Sequence, residues 1–391
     1  GWISGRHGSG TYVAAAPESP PAAAPQPETP PPTENLIDLI PGALDVKTIN
    51  GAAWRRAWRG AANRVPLQRP IRTGLPEFRE AVVQHLLRHR GLVACDSVLL
   101  ATAGTSAAAF EIATTNLNPG DRVAIEEPGY GCAAAALRAA GASLAPVPVD
   151  DHGICVDAIP ADVAAVYCTP AHQFPLGARL PADRRIELIR RARHHGWLVL
   201  EDDYDGELRY DTAPLPLLAS LGPDVVIHLG TTSNILTRTL GCGWLVAPSA
   251  VAAAVGARRE AAGIGPSPAG QRVVVEFARS GDLARHLRRL RRELSTRRSL
   301  VVETMRRTDV EVHGDAAGSH VVISLPSLSA EQQMLNRARD SGVLLDGLAR
   351  HHNCRPPSRH GIMLGYTACT RPDLVDAVPV IAELAARVGS G

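Results

Sequence analysis

Six short apolar runs, at 97–102, 123–127, 163–168, 197–201, 225–229 and 244–246, constrain this chain more than any other feature. Each ends in small or polar residues. Segments of helical period, such as 184–195, lie between most of them. A strand buried on both faces reads as a continuous apolar run. Strand, loop and helix repeated in this way predict an α/β fold with a mostly parallel sheet and helices on both faces. From about residue 250 the chain changes to longer helices. The runs HVVISL and IMLGYTA then read as strands of a smaller α+β C-terminal domain.

In such a sheet the carboxyl ends of the strands share one edge, and ligands bind beyond it. Five polar clusters fall at those ends: Gly104-Thr105-Ser106, then 127–130, 172–177, 202–204 and 231–234. Their convergence predicts one site.

Two segments lie outside this pattern. GWISGRHGSGTYV, residues 1–13, reads as a β-hairpin with a basic, glycine-rich tip. Residues 14–35, AAAPESPPAAAPQPETPPPTEN, hold too much proline and too few apolar anchors to pack a core, and read as a linker. A linker implies something substantial on its N-terminal side, and the first residue is not Met, so the chain reads as a fragment or processed form.

A net charge of +2 does not suggest a wholesale nucleic-acid binder. The seven cysteines are scattered without CxxC spacing, which fits buried, reduced thiols and a cytoplasmic location. No apolar stretch is long enough to span a bilayer. In LARHLRRLRRELSTRRSL, Leu283, Leu287, Leu290 and Leu294 share one helical face, and the arginines form a solvated one.

The clusters suggest a common ligand. Tyr130 offers a flat ring for stacking, and Asp202 would stay ionised opposite a protonated heterocycle nitrogen. Tyr204 can bond a phenolic oxygen. Gly104, Thr105 and Ser106 open a helix, giving amides and hydroxyls for a phosphate. A phosphorylated pyridine, pyridoxal phosphate, uses all of these.

On these residues the chain resembles the MocR subgroup of GntR-type transcription regulators, in which a winged helix-turn-helix is linked to a fold-type I aminotransferase-like domain. GRHGSGTYV resembles the end of the wing, and EEPGYG, TPAHQFPLG, EDDYDGELRY and HLRRLRRELSTRR resemble subgroup stretches. The resemblance implies a wing remnant at 1–13, the linker at 14–35 and an aminotransferase-like domain at 36–391. Its large subdomain is expected at about 75–249 and its small one at about 36–74 and 250–391. The expected cofactor set is Gly104, Thr105, Ser106, Tyr130, Phe174, Asp202, Tyr204, Ser233 and Asn234, with Arg238 as a substitute contact for the phosphate. Within it, Tyr130 stacks on the ring, Asp202 meets its nitrogen and Tyr204 its O3′. A homodimer and a small amino-acid-like effector are implied as well. DNA would be met only through the winged helix, most of which is missing here. Arg6 would lie near the phosphate backbone, and residues 1–13 are too few to read a DNA site.

The departures are specific. Where the family pattern is GTFSK followed by GLRLGY, this chain has GTTSN and TLGCGW, so Asn234 replaces the Schiff-base lysine and Gly241 the phosphate-binding arginine. Ser106 and Ala107 stand where glutamines are usual, Arg69 where an aromatic is, and Met363 near the place of a carboxylate-binding arginine. The sole lysine, Lys47, lies in another segment. An amide cannot form an imine or shuttle a proton as an amine does. Losing one charge-assisted phosphate contact costs roughly 1.5–3 kcal/mol. The reading is therefore a regulator whose domain senses pyridoxal phosphate or a related effector, held weakly and without a covalent bond. The alternatives are a class I/II aminotransferase in which Asn234 is an introduced or recent substitution, and a structural dimer module that binds no cofactor.

Overall fold

A computed structural model describes residues 3–8, 10–13, 36–95, 98–210 and 216–389. The linker at 14–35 lies outside the described residues, as do Asp96 and Ser97 at the start of the first apolar run. The chain divides into two units, Gly1–Leu36 and Ile37–Gly391. In the first, strands β1 (Ile3–Arg6) and β2 (Gly10–Val13) pair antiparallel, with Ile3 opposite Val13 and Arg6 opposite Gly10.

The second unit opens with β3 (Ile37–Asp38), α1 (Gly51–Ala62) and α2 (Pro76–Arg90). Then follow β4 (Leu99–Thr102), α3 (Thr105–Asn116), β5 (Arg122–Glu127), α4 (Gly131–Ala139), β6 (Ser143–Asp150) and β7 (Gly153–Ile154). Next come β8 (Ala165–Cys168), α5 (Ala182–His195), β9 (Leu198–Asp202), α6 (Leu218–Leu221), β10 (Val226–Thr231) and β11 (Gly243–Val246). The sheet order is β4-β11-β10-β9-β8-β5-β6-β7. The pairs from β10 through β6 are parallel, and β11 runs antiparallel to both its neighbours.

Why this sheet is covered on both faces follows from the period-2 geometry of strands. In β8, Ala165 and Tyr167 enter one apolar cluster, and Val166 and Cys168 the other. In β9, Val199 and Leu200 divide in the same way. One face packs on Ile112 of α3 and Leu137 of α4, the other on Phe78 of α2 and Leu188 of α5. Polar faces of these strands would have no outlet to water, which is why the runs are mostly apolar, with buried Glu201 and His228 as exceptions that face each other.

Beyond the sheet lie α7 (Ser249–Ala262), α8 (Pro268–Arg279) and α9 (Asp282–Arg306). In α9, Leu283, Leu287, Leu290 and Leu294 are all buried, and Arg288, Arg289 and Arg292 are exposed. Cutting Leu287 to Ala would cost about 2–5 kcal/mol. The remaining elements are β12 (His320–Ser324), α10 (Leu328–Asp340), β13 (Val343–Leu344), β14 (Asp346–Gly347), β15 (Gly361–Gly365) and α11 (Arg371–Gly389). Strands β12, β15 and β14 form an antiparallel sheet, and β13 pairs with β3. This is the fold-type I aminotransferase architecture, a mostly parallel sheet between helices with a smaller α+β part at the C-terminal end.

Candidate functional site

The carboxyl ends of β4, β5, β8, β9 and β10 share one edge of the sheet, and a cavity of about 670 Å³ opens there. It brings together all ten residues named from the sequence. Gly104, Thr105 and Ser106 follow β4, and Tyr130 follows β5. Phe174 follows β8, Asp202 ends β9, and Tyr204 stands two residues on. Ser233, Asn234 and Arg238 come from the turn after β10.

Each position has a local cause. Gly104 takes φ +132°, a value L side chains rarely adopt, and gives α3 no side-chain cap. The first turn of α3 is thus uncapped by a side chain, and its residues Thr105, Ser106 and Ala107 line the cavity, an arrangement that suits an anion. Thr231 Oγ1 and Ser233 Oγ stand 2.9 Å apart on the same wall. The Arg238 guanidinium lies over Gly42, where a side chain would collide. Among the described residues it pairs with no carboxylate.

Asp202 is buried to 2% exposure. The Tyr167 hydroxyl donates to its Oδ2, and its Oδ1 is buried with no donor. With no cation opposite, burial pushes the carboxyl up to about 7, against the pull of the Tyr167 bond and of the nearby Thr105 hydroxyl, which makes no hydrogen bond of good geometry to it. A buried acceptor without a donor costs about 1–3 kcal/mol. A ligand N–H would recover that cost.

Tyr204 is held from behind. Its hydroxyl lies 3.0 Å from His172 Nδ1, and that nitrogen lies 2.8 Å from Asp205 Oδ2. Phe174 meets Tyr130 and Tyr204 edge-on, with centroids 5.6 and 6.0 Å apart. Its placement traces back to Glu126, which accepts from Thr169 Oγ1 at 2.5 Å, while Thr169 Oγ1 accepts from the Phe174 amide at 3.0 Å. Burial pushes Glu126 up to about 7 as well.

Asn234 donates from Nδ2 to the backbone carbonyl of Tyr204 at 3.0 Å. The amide thus ties the turn after β10 to the loop after β9. Gly241 has φ +53°, and a Cβ there would meet nothing within 4 Å. Lys47 is exposed and does not line the cavity. Met363 is fully buried against Phe174 and Leu176, so a thioether stands there in place of a cation.

The acids of EDDYDGE are tied one by one. Glu201 accepts from the Leu218 and Ala219 amides at 2.7 and 3.0 Å. Asp203 pairs with Arg90 at 2.6 Å, and Glu207 with His85 at 2.7 Å. They form no metal centre: among the described residues no group of three or more His, Cys, Asp or Glu could hold an ion.

Sequence reasoning missed part of the wall. Ile40, Pro41 and Gly42 come from the segment after β3, and Asp346, Arg350 and His351 from β14 and the turn beyond it. Asp346 accepts from Arg350 at 2.6 Å and faces His351 Nε2 at 3.1 Å, and these partners hold its carboxyl low against the effect of burial. Tyr167 was missed because it sits inside a strand, where its ring belongs to the core. The LARHH run, rich in bases beside an acid, was the one signal that could have drawn attention to the second group.

Comparison with known proteins agrees with this fold. The chain matches the family described as aminotransferase class I and II over residues 49–348. It is similar to the HTH-type pyridoxine biosynthesis transcriptional regulator PdxR of Corynebacterium glutamicum, 38% identical over 71% of this chain and 60% of that one. It is also similar to the probable rhizopine catabolism regulatory protein MocR of Rhizobium meliloti, 28% identical over 94% of this chain and 79% of that one. Among solved structures, the kynurenine aminotransferase of Pyrococcus horikoshii superposes with a TM-score of 0.81 at 25% identity, over 90% of this chain and 92% of that one. The match thus spans less than two thirds of the length of PdxR. The chain belongs to the aminotransferase class I and II family, and the regulators it is similar to include MocR itself.

Proposed function

We propose that this chain is the effector-binding and dimerising part of a MocR-like transcription regulator, which holds a vitamin B6 phosphate reversibly and does not catalyse transamination. One observation carries the reading. The cavity keeps an unpartnered buried carboxyl oxygen on Asp202 and is lined by Tyr130 and Tyr204, while Asn234 stands where the family pattern has the reactive lysine, its amide already bonded to a carbonyl.

The residues fit a phosphorylated pyridine held without a covalent bond. Asp202 Oδ1 would take the ring N–H, Tyr130 would cover the ring, and the Tyr204 hydroxyl, positioned by His172, would hold the phenolic oxygen. Thr105, Ser106, Ser233 and the first-turn amides of α3 would hold the phosphate, with Arg238 as the nearby cation. Pyridoxal phosphate, when bound, supplies an aldehyde and an electron-withdrawing ring. The chain presents no lysine amine there to react with it or to carry a proton.

The regulator role draws on the relatives, two of which are named as transcriptional or catabolic regulators. One is named for pyridoxine biosynthesis, which supports a B6 phosphate as the class of effector. Residues 1–13 are proposed as the end of a wing, 14–35 as its linker, and the small subdomain as 36–74 with 250–391 around a large one at 75–249. Trp58, Val65, Leu67 and Ile71, all exposed within one stretch of fourteen residues, support a homodimer, because exposed large apolar side chains close together in the chain are candidates for a covered surface. Calorimetric titration with pyridoxal and pyridoxamine phosphates tests the reading. One site per chain, emptied by dialysis, is expected. Absence of heat and of a thermal shift with both ligands would favour a purely structural module.

A further inference from the structure

The orientation of Asn234 is fixed by its partner. The Tyr204 carbonyl can only accept, so the nitrogen of the amide must face it, at 3.0 Å. The other end of the side chain is therefore Oδ1, and among the described residues no donor reaches it. Asn234 is half-buried and lines the cavity, so Oδ1 is an acceptor held ready for a ligand.

This inference rests on the reading that the cavity takes a B6 phosphate. On that reading residue 234, the place of the lysine in the family pattern, meets the substituent at the 4′ position. We propose that Asn234 selects the aminated form, pyridoxamine phosphate, over the aldehyde form. An ammonium at that position donates to Oδ1 and gains a charge-assisted hydrogen bond. An aldehyde oxygen only accepts, and toward Oδ1 it places two acceptors with no proton between them. The second hydrogen of Nδ2 could serve an aldehyde, but its direction is set by the bond to Tyr204. A neutral bond of that kind is about half as strong as one to a charged group. Asn234, which cannot capture the aldehyde covalently, thus presents a polarity suited to the amine. The cavity becomes a reader of which form of the cofactor is present.

Calorimetry on the full chain, in amine-free buffer, tests this with three ligands that differ only at the 4′ group. They are pyridoxamine phosphate, pyridoxal phosphate and 4′-deoxypyridoxine phosphate, which carries a methyl there. The amine is expected to bind roughly tenfold or more tighter than the other two. In Asn234→Leu, similar in size and apolar, the spread should shrink to about threefold or less while all three still bind. Aldehyde binding equal to or tighter than the amine in the unaltered chain overturns the inference and leaves reversible binding standing. Failure of all three to bind removes the underlying reading, and the inference with it. If Asn234→Leu does not fold, the order of the three ligands on the unaltered chain decides alone.

Discussion

Tyr167 donates its hydroxyl to one oxygen of Asp202, and the other oxygen of Asp202 is buried without a donor. Burial raises this carboxyl to about 7. The folded domain therefore holds the proton more tightly than the unfolded chain does. Its ligand-free stability should fall as pH rises from the ordinary carboxylate range to about 7, and level off above that. Glu126 titrates in the same window for the same reason, so comparison with a variant is needed to isolate Asp202. Asp202→Asn should melt above the unaltered protein at pH 8, with the gap closing toward pH 5. The same variant should lose roughly ten- to a hundredfold in affinity for pyridoxamine phosphate, since a charge-assisted bond becomes a neutral one.

Restoring the amine tests whether the rest of the cavity is intact. Asn234→Lys gives up the bond to the Tyr204 carbonyl and adds the missing nucleophile. Pyridoxal phosphate should then survive dialysis and colour the protein, whereas the unaltered chain should return colourless. Absorbance before and after dialysis checks this.

Gly241 offers room for the missing arginine. Nothing lies within 4 Å of a Cβ there, but φ +53° strains any L residue by about 1 kcal/mol. Gly241→Arg should lower the melting temperature by about 2 °C and tighten binding of a B6 phosphate roughly ten- to a hundredfold. Gly241→Ala should show the same loss of stability with no gain in affinity. Calorimetry beside thermal melts separates the two effects.

The pair of Arg90 and Asp203 is almost wholly buried, with bonds of 2.6 and 2.7 Å. Burial pushes Asp203 up, and Arg90 opposes it. Arg90→Ala leaves an uncompensated carboxylate and should cost about 3–5 kcal/mol in urea unfolding. Arg90→Met combined with Asp203→Asn should recover at least half of that, because neither position then carries a charge.

What the sequence shows and what it hides divide along physical lines. Continuous apolar runs such as 225–229 mark strands buried on both faces, and the clusters that follow them mark the strand ends. Six strands and one edge of the cavity were legible for that reason. Strands β6 and β7 were not, because exposed and buried residues alternate in β6 at the side of the sheet. Nor does any local signal show that β11 runs against its neighbours. Asp346, Arg350 and His351 reach the cavity from more than a hundred residues beyond Asn234, which periodicity cannot reveal. The loss of the lysine was plain in GTTSN. The bond that its replacement makes to Tyr204 depends on how two loops meet.

A crystal structure of the protein soaked with pyridoxal phosphate shows whether this cavity holds a B6 phosphate without a covalent bond. The ring nitrogen is expected at Asp202 Oδ1, the phosphate at the start of α3, and a gap in density between the ligand and Asn234. Continuous density joining the ligand to a side chain, or an empty cavity at saturating ligand, would contradict non-covalent binding.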